Sequence, residues 1–307
     1  MIELIGNTPI VELKTNSKHT IVAKCEFLNP TGSIKDRVAK YIIQHLKQTG
    51  ELKKHQTIVE ASSGNMGTSL AAIGKHYEHP VHITCPSKTG IMKRKMITAF
   101  DADLTVCKNT TDHNDSEYYV NKAKTLALET NGVIINQYDS LLNTECHYST
   151  TGYEITKHLK ENNIHLDYFI TVGGSGGTVT GCAKAIKEYS PTTKVIMPDP
   201  FGSVYYDIFY NGKINKNNIY SYKVEGPGNP TYCKAMDLTY IDDIIQFTDD
   251  NAINGCLNIA KNHGLYTGHS SGANYHVAQQ IIKSLPQDES KTILVLLLDS
   301  GMKYDFS

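Results

Sequence analysis

Asp167-Tyr168-Phe169-Ile170-Thr171-Val172-Gly173-Gly174-Ser175-Gly176-Gly177-Thr178-Val179 is the stretch whose reading decides the fold. β-branched and aromatic residues over 167–172 predict a strand. Glycines and hydroxyl residues then interrupt it, and helical spacing of apolar residues predicts a helix over 179–189. Residues 194–197 read as a second strand. Strand, glycine loop, helix and strand form a βαβ unit, and the strands of such a unit are parallel. Four glycines let the backbone curl around an anion at the helix start, and Ser175 and Thr178 add hydroxyl donors, so the loop reads as a phosphate cradle.

The same alternation extends outward in both directions. Strands are predicted over 57–60, 81–85, 104–107, 133–137 and 292–298. Helices are predicted over 66–77, 88–100, 117–130, 252–263 and 272–284, with one more around 152–161. Alternation of this kind, with apolar strands, predicts an α/β protein with parallel sheets covered by helices on both faces. A break near 138–152 divides it into two such domains. Ligands of these folds sit at the carboxyl ends of strands, so the loops that follow strands carry the chemistry.

Composition narrows the function classes. The chain has 307 residues, 30 Lys+Arg, 31 Asp+Glu and a net charge of −1, without the basic excess of a nucleic-acid binder. Its longest aliphatic run is the six residues 293–298, against about 20 needed for a membrane span. The N-terminus has no basic segment leading into an apolar core, so no secretory signal is expected. The cysteines are an odd seven with no C-x-x-C pair, which argues for reduced thiols in a cytoplasmic protein and against structural zinc. His76, His79 and His82 are close in sequence, but Pro80 falls among them, and they read as a solvated turn rather than a metal site.

Three further loops stand out. In Asn29-Pro30-Thr31-Gly32-Ser33-Ile34-Lys35, Ser33 is a candidate N-cap. Ile34, Val38, Tyr41, Ile42 and Leu46 then share a helical face. Lys35 falls in the first turn, where the helix dipole disfavours a cation and frees the amine for nucleophilic work. A solvated surface lysine is the plain alternative. Glu60-Ala61-Ser62-Ser63-Gly64-Asn65-Met66-Gly67 follows a strand and opens a helix, and suits a carboxylate or phosphate. Thr267-Gly268-His269-Ser270-Ser271-Gly272 precedes another helix. Two rival patterns touch the glycine loop. Gly173-x-Ser175-x-Gly177 fits a hydrolase nucleophile elbow, but so does Gly268-x-Ser270-x-Gly272, so the pattern is cheap. The dinucleotide fingerprint fails at Val179, although Asp199 could imitate its ribose-binding acid.

Taken together, the set resembles the cysteine synthase and cystathionine β-synthase family of fold type II, tryptophan-synthase-β-like pyridoxal-phosphate enzymes. The resemblance runs from Ile5-Gly6-Asn7-Thr8-Pro9 through the loops above. It takes in Arg94-Lys95-Met96, Asn143, His147-Tyr148 and Thr150-Thr151-Gly152, and reaches Ser300-Gly301 before Tyr304. It implies two doubly wound, three-layer α/β domains with the cofactor in the cleft between them. Residues 1–11 with 35–138 would form a smaller, mobile domain. Residues 12–34 with 139–307 would form a larger, cofactor-anchoring one. It also implies a homodimer.

The resemblance further implies that Lys35 holds pyridoxal 5'-phosphate as an internal aldimine and moves the substrate α-proton. Asn65 would bond the ring 3-oxygen. Gly174, Ser175, Gly176, Gly177 and Thr178 would bind the phosphate, and Ser270 would face the pyridine nitrogen. Ser62, Ser63, Gly64, Asn65, Met66, Gln137 and Gly226 would line the amino-acid site. The implied reaction is β-replacement on a serine-derived amino acid through an aminoacrylate, with sulfide, another thiol or an amine as nucleophile. Cysteine synthesis is the default, and cystathionine formation is its close relative. Cysteine desulfhydration, a 2,3-diaminopropionate synthase and a dehydratase remain open, as does a serine hydrolase from another class. Met66 replaces the family's usual Thr, Met302-Lys303 its usual Glu-Arg, and Pro227 and Pro230 stiffen a loop expected to move. From a chain of this length, neither a haem-binding extension nor a regulatory C-terminal module is expected.

Overall fold

Thr292–Leu297 is an aliphatic strand with five of its six residues buried. Such a strand needs partners on both edges and cover on both faces. The computed structural model, which describes residues 1–110, 112 and 114–306, supplies them. Along the chain run β1 (Ile10–Leu13), β2 (Thr20–Cys25), α1 (Lys35–Thr49), β3 (Ile58–Ala61), α2 (Asn65–His76), β4 (Val81–Pro86) and α3 (Ile91–Ala99). Next come β5 (Asp103–Cys107), α4 (Tyr119–Glu129), β6 (Val133–Ile134), α5 (Leu141–His147), α6 (Tyr153–Glu161), β7 (Tyr168–Ile170) and α7 (Gly177–Tyr189). The chain continues with β8 (Lys194–Pro200), α8 (Tyr205–Asn211), β9 (Asp243–Phe247), α9 (Asp249–His263), α10 (His269–Ser284) and β10 (Thr292–Leu297).

These elements form two compact units. The first is Met1–Ile5 with Asn29–Gln137, and the second is Gly6–Leu28 with Tyr138–Ser307. Residues 6–11 group with the second because β1 pairs with β2. The first unit holds a wholly parallel sheet, order β5-β4-β3-β6. Both α2 and α4 pack on β3 and β4, and every residue of β3 is buried. The second unit holds the order β1-β2-β10-β7-β8-β9. All neighbours there run parallel except β1, which is antiparallel to β2. Ile293, Val295 and Leu297 pack with Ala278, Ile281 and Ile282 of α10. The alternate residues Leu294 and Leu296 are fully buried as well, so both faces of β10 are covered. The protein is therefore α/β, with a wholly parallel sheet in the first unit and a mainly parallel one in the second. Among the described residues no helix is long and apolar enough to cross a membrane.

The structure departs from the sequence reading in instructive places. β1, β2, β9, α5 and α8 were not anticipated, and the sheet of the second unit has an antiparallel edge. In β2 the apolar run is broken by Lys24, which is nonetheless 1% exposed. Its ammonium lies 2.7 Å from Glu154 and 3.9 Å from Glu26, and donates to Thr8 O at 3.0 Å. The strand expected over 133–137 stops at Ile134, because the N–H groups of Asn136 and Gln137 turn to a buried carboxylate described below. The helix expected around 152–161 is α6, and it is preceded by the unanticipated α5 and a π-helical turn over Tyr148–Gly152.

Candidate active site

In the first unit Lys35 opens α1. The cap position is Ile34 rather than Ser33, whose hydroxyl instead accepts from the Lys35 N–H at 3.2 Å. The turn before the lysine is locked from inside. The buried Asp36 carboxylate accepts from Thr31 N–H at 2.7 Å and from the Thr31 hydroxyl at 2.5 Å. Thr31 Oγ1 lies 3.3 Å from Ser69 Oγ, and Ser69 donates to Asn65 O at 2.9 Å. The lysine loop is thus joined to the first turn of α2.

That turn is the serine–glycine–asparagine loop. Ser62 Oγ accepts from Gly64 N–H at 3.3 Å and Gly67 N–H at 3.0 Å. Ser63 is exposed, Gly64 and Asn65 are half-buried, and Met66 is buried away from this accessible rim. Gln137 joins the loop through Glu60. The Glu60 carboxylate accepts from Asn136 N–H at 2.9 Å and Gln137 N–H at 3.4 Å. Asn136 adopts φ +53°, a left-handed conformation that asparagine tolerates. Burial pushes the Glu60 carboxyl up to about 7, against the opposing effect of these hydrogen bonds.

In the second unit residues 173–178 lead from β7 into α7. Gly176 has φ +96°, which a side chain would strain. Asn143 Nδ2 donates to Ser175 Oγ at 3.0 Å, which leaves the Ser175 hydroxyl hydrogen to donate elsewhere. Thr178 Oγ1 lies 3.1 Å from His147 Nε2, and His147 Nδ1 lies 3.0 Å from Thr151 Oγ1. Two loop carbonyls are tied back. Tyr205 OH donates to Gly174 O at 2.6 Å, and Gly228 N–H to Gly173 O at 2.6 Å. A Cβ on Gly174 would stand 2.2 Å from Gly226 O, so nothing larger than glycine fits. With these carbonyls engaged, the cradle offers N–H groups and hydroxyls at the start of a 13-residue helix, the donor set of an anion site.

Ser270 and Gly226 sit beside this cradle. A Cβ on Gly226 would lie 4.0 Å from Ser270 Oγ. The start of α10 is pinned to the strand ends. Ser271 Oγ accepts from Leu298 N–H at 2.8 Å, Asn274 Oδ1 accepts from Val172 N–H at 2.8 Å, and Asn274 Nδ2 donates to Leu296 O at 2.8 Å. Each unit therefore gathers its own predicted residues. The first holds Lys35, residues 62–66 and Gln137. The second holds residues 174–178, Gly226 and Ser270.

The rival readings lose their footing. Ser175 pairs with an amide, which cannot take its proton, so the hydrolase elbow lacks a base. Asp199 is fully buried and accepts from Tyr206 N–H at 3.0 Å, so it presents no carboxylate to a ribose. The ring nitrogens His79 Nδ1 and His82 Nε2 meet Gln56 O at 2.9 Å and Thr105 Oγ1 at 2.7 Å. Sequence reasoning missed Thr31, Asp36, Glu60, Ser69 and Tyr205. A charged residue inside the apolar stretch 57–61 was the one available signal, and it pointed to Glu60.

Glu60 and Asp199 make a testable pair. Burial pushes each carboxyl up to about 7 from an ordinary value near 4. The folded state then holds their protons more tightly than the unfolded state. Their contribution to stability is full below about pH 4 and is lost as pH rises through 7, about 3 kcal/mol for each group. Between pH 5 and 8 the Glu60→Gln and Asp199→Asn proteins should each lose less stability than the parent, read as urea midpoints. Identical slopes in all three proteins would contradict the assignment.

Residues 1–299 match the family described as pyridoxal-phosphate dependent enzymes. The chain is 34% identical to cysteine synthase B of Campylobacter jejuni, covering 98% of this chain and 95% of that protein. It is 32% identical to cystathionine β-synthase of Saccharomyces cerevisiae, covering 99% of this chain but only 61% of the longer relative. The crystal structure of a hydrogen sulfide-producing enzyme from Fusobacterium nucleatum superposes with a TM-score of 0.87 at 30% identity, over 99% of this chain and 98% of that one. With its lysine-headed helix and glycine cradle, the chain belongs to the pyridoxal-phosphate dependent enzymes, in the branch of the cysteine synthases and cystathionine β-synthases.

Proposed function

We propose that the protein catalyses β-replacement on a serine-derived amino acid, with activated serine and sulfide giving cysteine as the leading reaction. The observation that carries the reading is Ser270, a hydroxyl rather than a carboxylate, beside the glycine cradle. Pyridoxal phosphate fits the residues present. The cradle has donors for a dianion, and Gly174 has no room for a side chain. Residues 174–178 would hold its phosphate, Lys35 and Asn65 its reactive edge, and Ser270 its ring nitrogen. When bound, the group supplies the electron sink that lets an amino acid lose its α-proton and its β-substituent.

The chain's own residues do the rest. Lys35 takes and returns the proton at the substrate Cα. The N–H groups and hydroxyls of residues 62–65, with Gln137, hold the substrate carboxylate. Glu60 positions Gln137 for that task. A hydroxyl at position 270 does not keep the ring nitrogen protonated, which favours β-elimination and replacement over transamination.

A second reading, release of H₂S from cysteine, is supported by the similarity to the Fusobacterium nucleatum enzyme. One experiment separates the two. Purified protein is incubated with O-acetyl-L-serine, O-phospho-L-serine, L-serine or L-cysteine, with and without sulfide or homocysteine, and all products are quantified. Cysteine or cystathionine formed only with the thiol supports replacement. H₂S from cysteine alone supports the second reading, and pyruvate regardless of thiol points to a dehydratase.

The cradle has its own test. A Gly174→Ala protein should bind pyridoxal phosphate about tenfold to a hundredfold more weakly in equilibrium dialysis, because the new methyl must displace the segment that carries Gly226 O. Unchanged affinity would remove residues 174–178 from the phosphate site.

A further inference from the structure

Lys93, Arg94 and Lys95 are three consecutive cations on α3. Lys95 is exposed and Arg94 partly so, but Lys93 is only 2% exposed. A buried lysine is rare, because withdrawing an ammonium from water is costly. The packing of α3 explains where it goes. Lys93 and Ile97, four residues apart on one helical face, both turn toward α2. Ile97 Cδ1 lies 3.2 Å from the point where a Cβ on Gly67 would stand. Lys93 Nζ and Cδ lie 3.5 Å from the corresponding point on Gly64. The ammonium is therefore set against the serine–glycine–asparagine loop, at the residue that precedes the first turn of α2.

We infer that Lys93 is a specificity residue, a fixed cation beneath the loop that makes the amino-acid site select a free α-carboxylate over uncharged derivatives of the same amino acid. The inference rests on the assignment of residues 62–65 to the substrate carboxylate. An ammonium held beside the loop attracts an anion through a medium far less screening than water. It makes no such contribution for an amide or an ester. The N–H groups and hydroxyls of the loop serve both kinds of ligand, whereas the buried charge separates them.

The test uses the cofactor-loaded protein and two ligand pairs, L-serine with L-serinamide and L-cysteine with L-cysteine methyl ester. Binding is read from the change in the bound cofactor's absorbance during titration. The unliganded spectrum and the melting temperature report separately on folding. The ratio of dissociation constants within a pair cancels any general loss of site integrity. In Lys93→Met the preference for the free acid should fall about tenfold or more, while Lys93→Arg should keep it within about threefold. Lys93→Gln gives the same reading should methionine prevent folding. A preference that stays at the parental value in the uncharged variants overturns the role of Lys93 and leaves the proposed reaction standing. A parent protein whose spectrum responds to none of the four ligands, nor to O-acetyl-L-serine, overturns the proposed reaction, and the inference with it.

Discussion

A Lys35→Ala protein should turn over at least about a thousandfold more slowly than its parent, yet melt within a few degrees of it. General base work alone is worth about 10²–10⁴ in rate, and the same amine is the candidate nucleophile toward the cofactor. The fold has little reason to notice the change. Lys35 is the first residue of α1, where alanine is well tolerated. The turn in front of it is held by Asp36 and Thr31. Two measurements check the claim. Borohydride reduction followed by mass analysis should leave pyridoxal phosphate covalently attached to the parent and not to the variant. Dialysis should show that the variant still binds the cofactor, since residues 174–178 are intact. A variant that keeps normal turnover would take Lys35 out of the chemistry.

The second large effect is on stability. Lys24→Met should cost about 3–5 kcal/mol, the usual penalty for breaking a buried ion cluster from one side. Glu26 is fully buried and Glu154 partly buried, and both face the Lys24 ammonium. Thr8 adds its carbonyl to the ammonium and its hydroxyl to Glu26, the latter at 2.6 Å. Asn7 N–H donates to Glu154 at 2.9 Å. Removing the cation leaves carboxylates gathered around a missing charge. Circular dichroism during urea unfolding reads the loss. A companion Lys24→Met/Glu154→Gln protein should recover part of it. A loss below about 1 kcal/mol in the single variant would mean that the cluster is relieved by taking up protons.

The same cluster shows what the sequence conceals. The aliphatic run of β10 and the glycine loop before α7 were legible because strand, loop and helix signals lie side by side in the chain. β2 was not legible, because Lys24 looks like a breaker until Glu154, 130 positions away, is placed beside it. The end of β6 was hidden for a similar reason. Nothing near Asn136 announces that Glu60 will take its N–H. The site followed this pattern. Lys35, Ser62, Asn65, Gly174 and Ser270 stand in recognisable local motifs. Glu60, Tyr205 and Lys93 make contacts that only tertiary packing creates. Asp199 shows the opposite error, a well-placed acid in sequence that the fold buries completely.

β2 finds its parallel partner at the far end of the chain, Thr20 beside Thr292 and Cys25 beside Leu297. During synthesis on a ribosome that pairing has to wait. At roughly 5–20 residues per second, β10 emerges tens of seconds after β2. The sheet of the first unit has all of its strands by Ile134, so that unit can fold while the second is still incomplete. Through that interval the early hairpin of β1 and β2 carries an open apolar edge, the kind of surface on which nascent chains stick to one another. Lys24, the fifth of the six residues of β2, places a hydrated charge on that strand, a feature that works against edge-to-edge pairing. One side chain thus guards the strand before its neighbours arrive and becomes a buried anchor once they do.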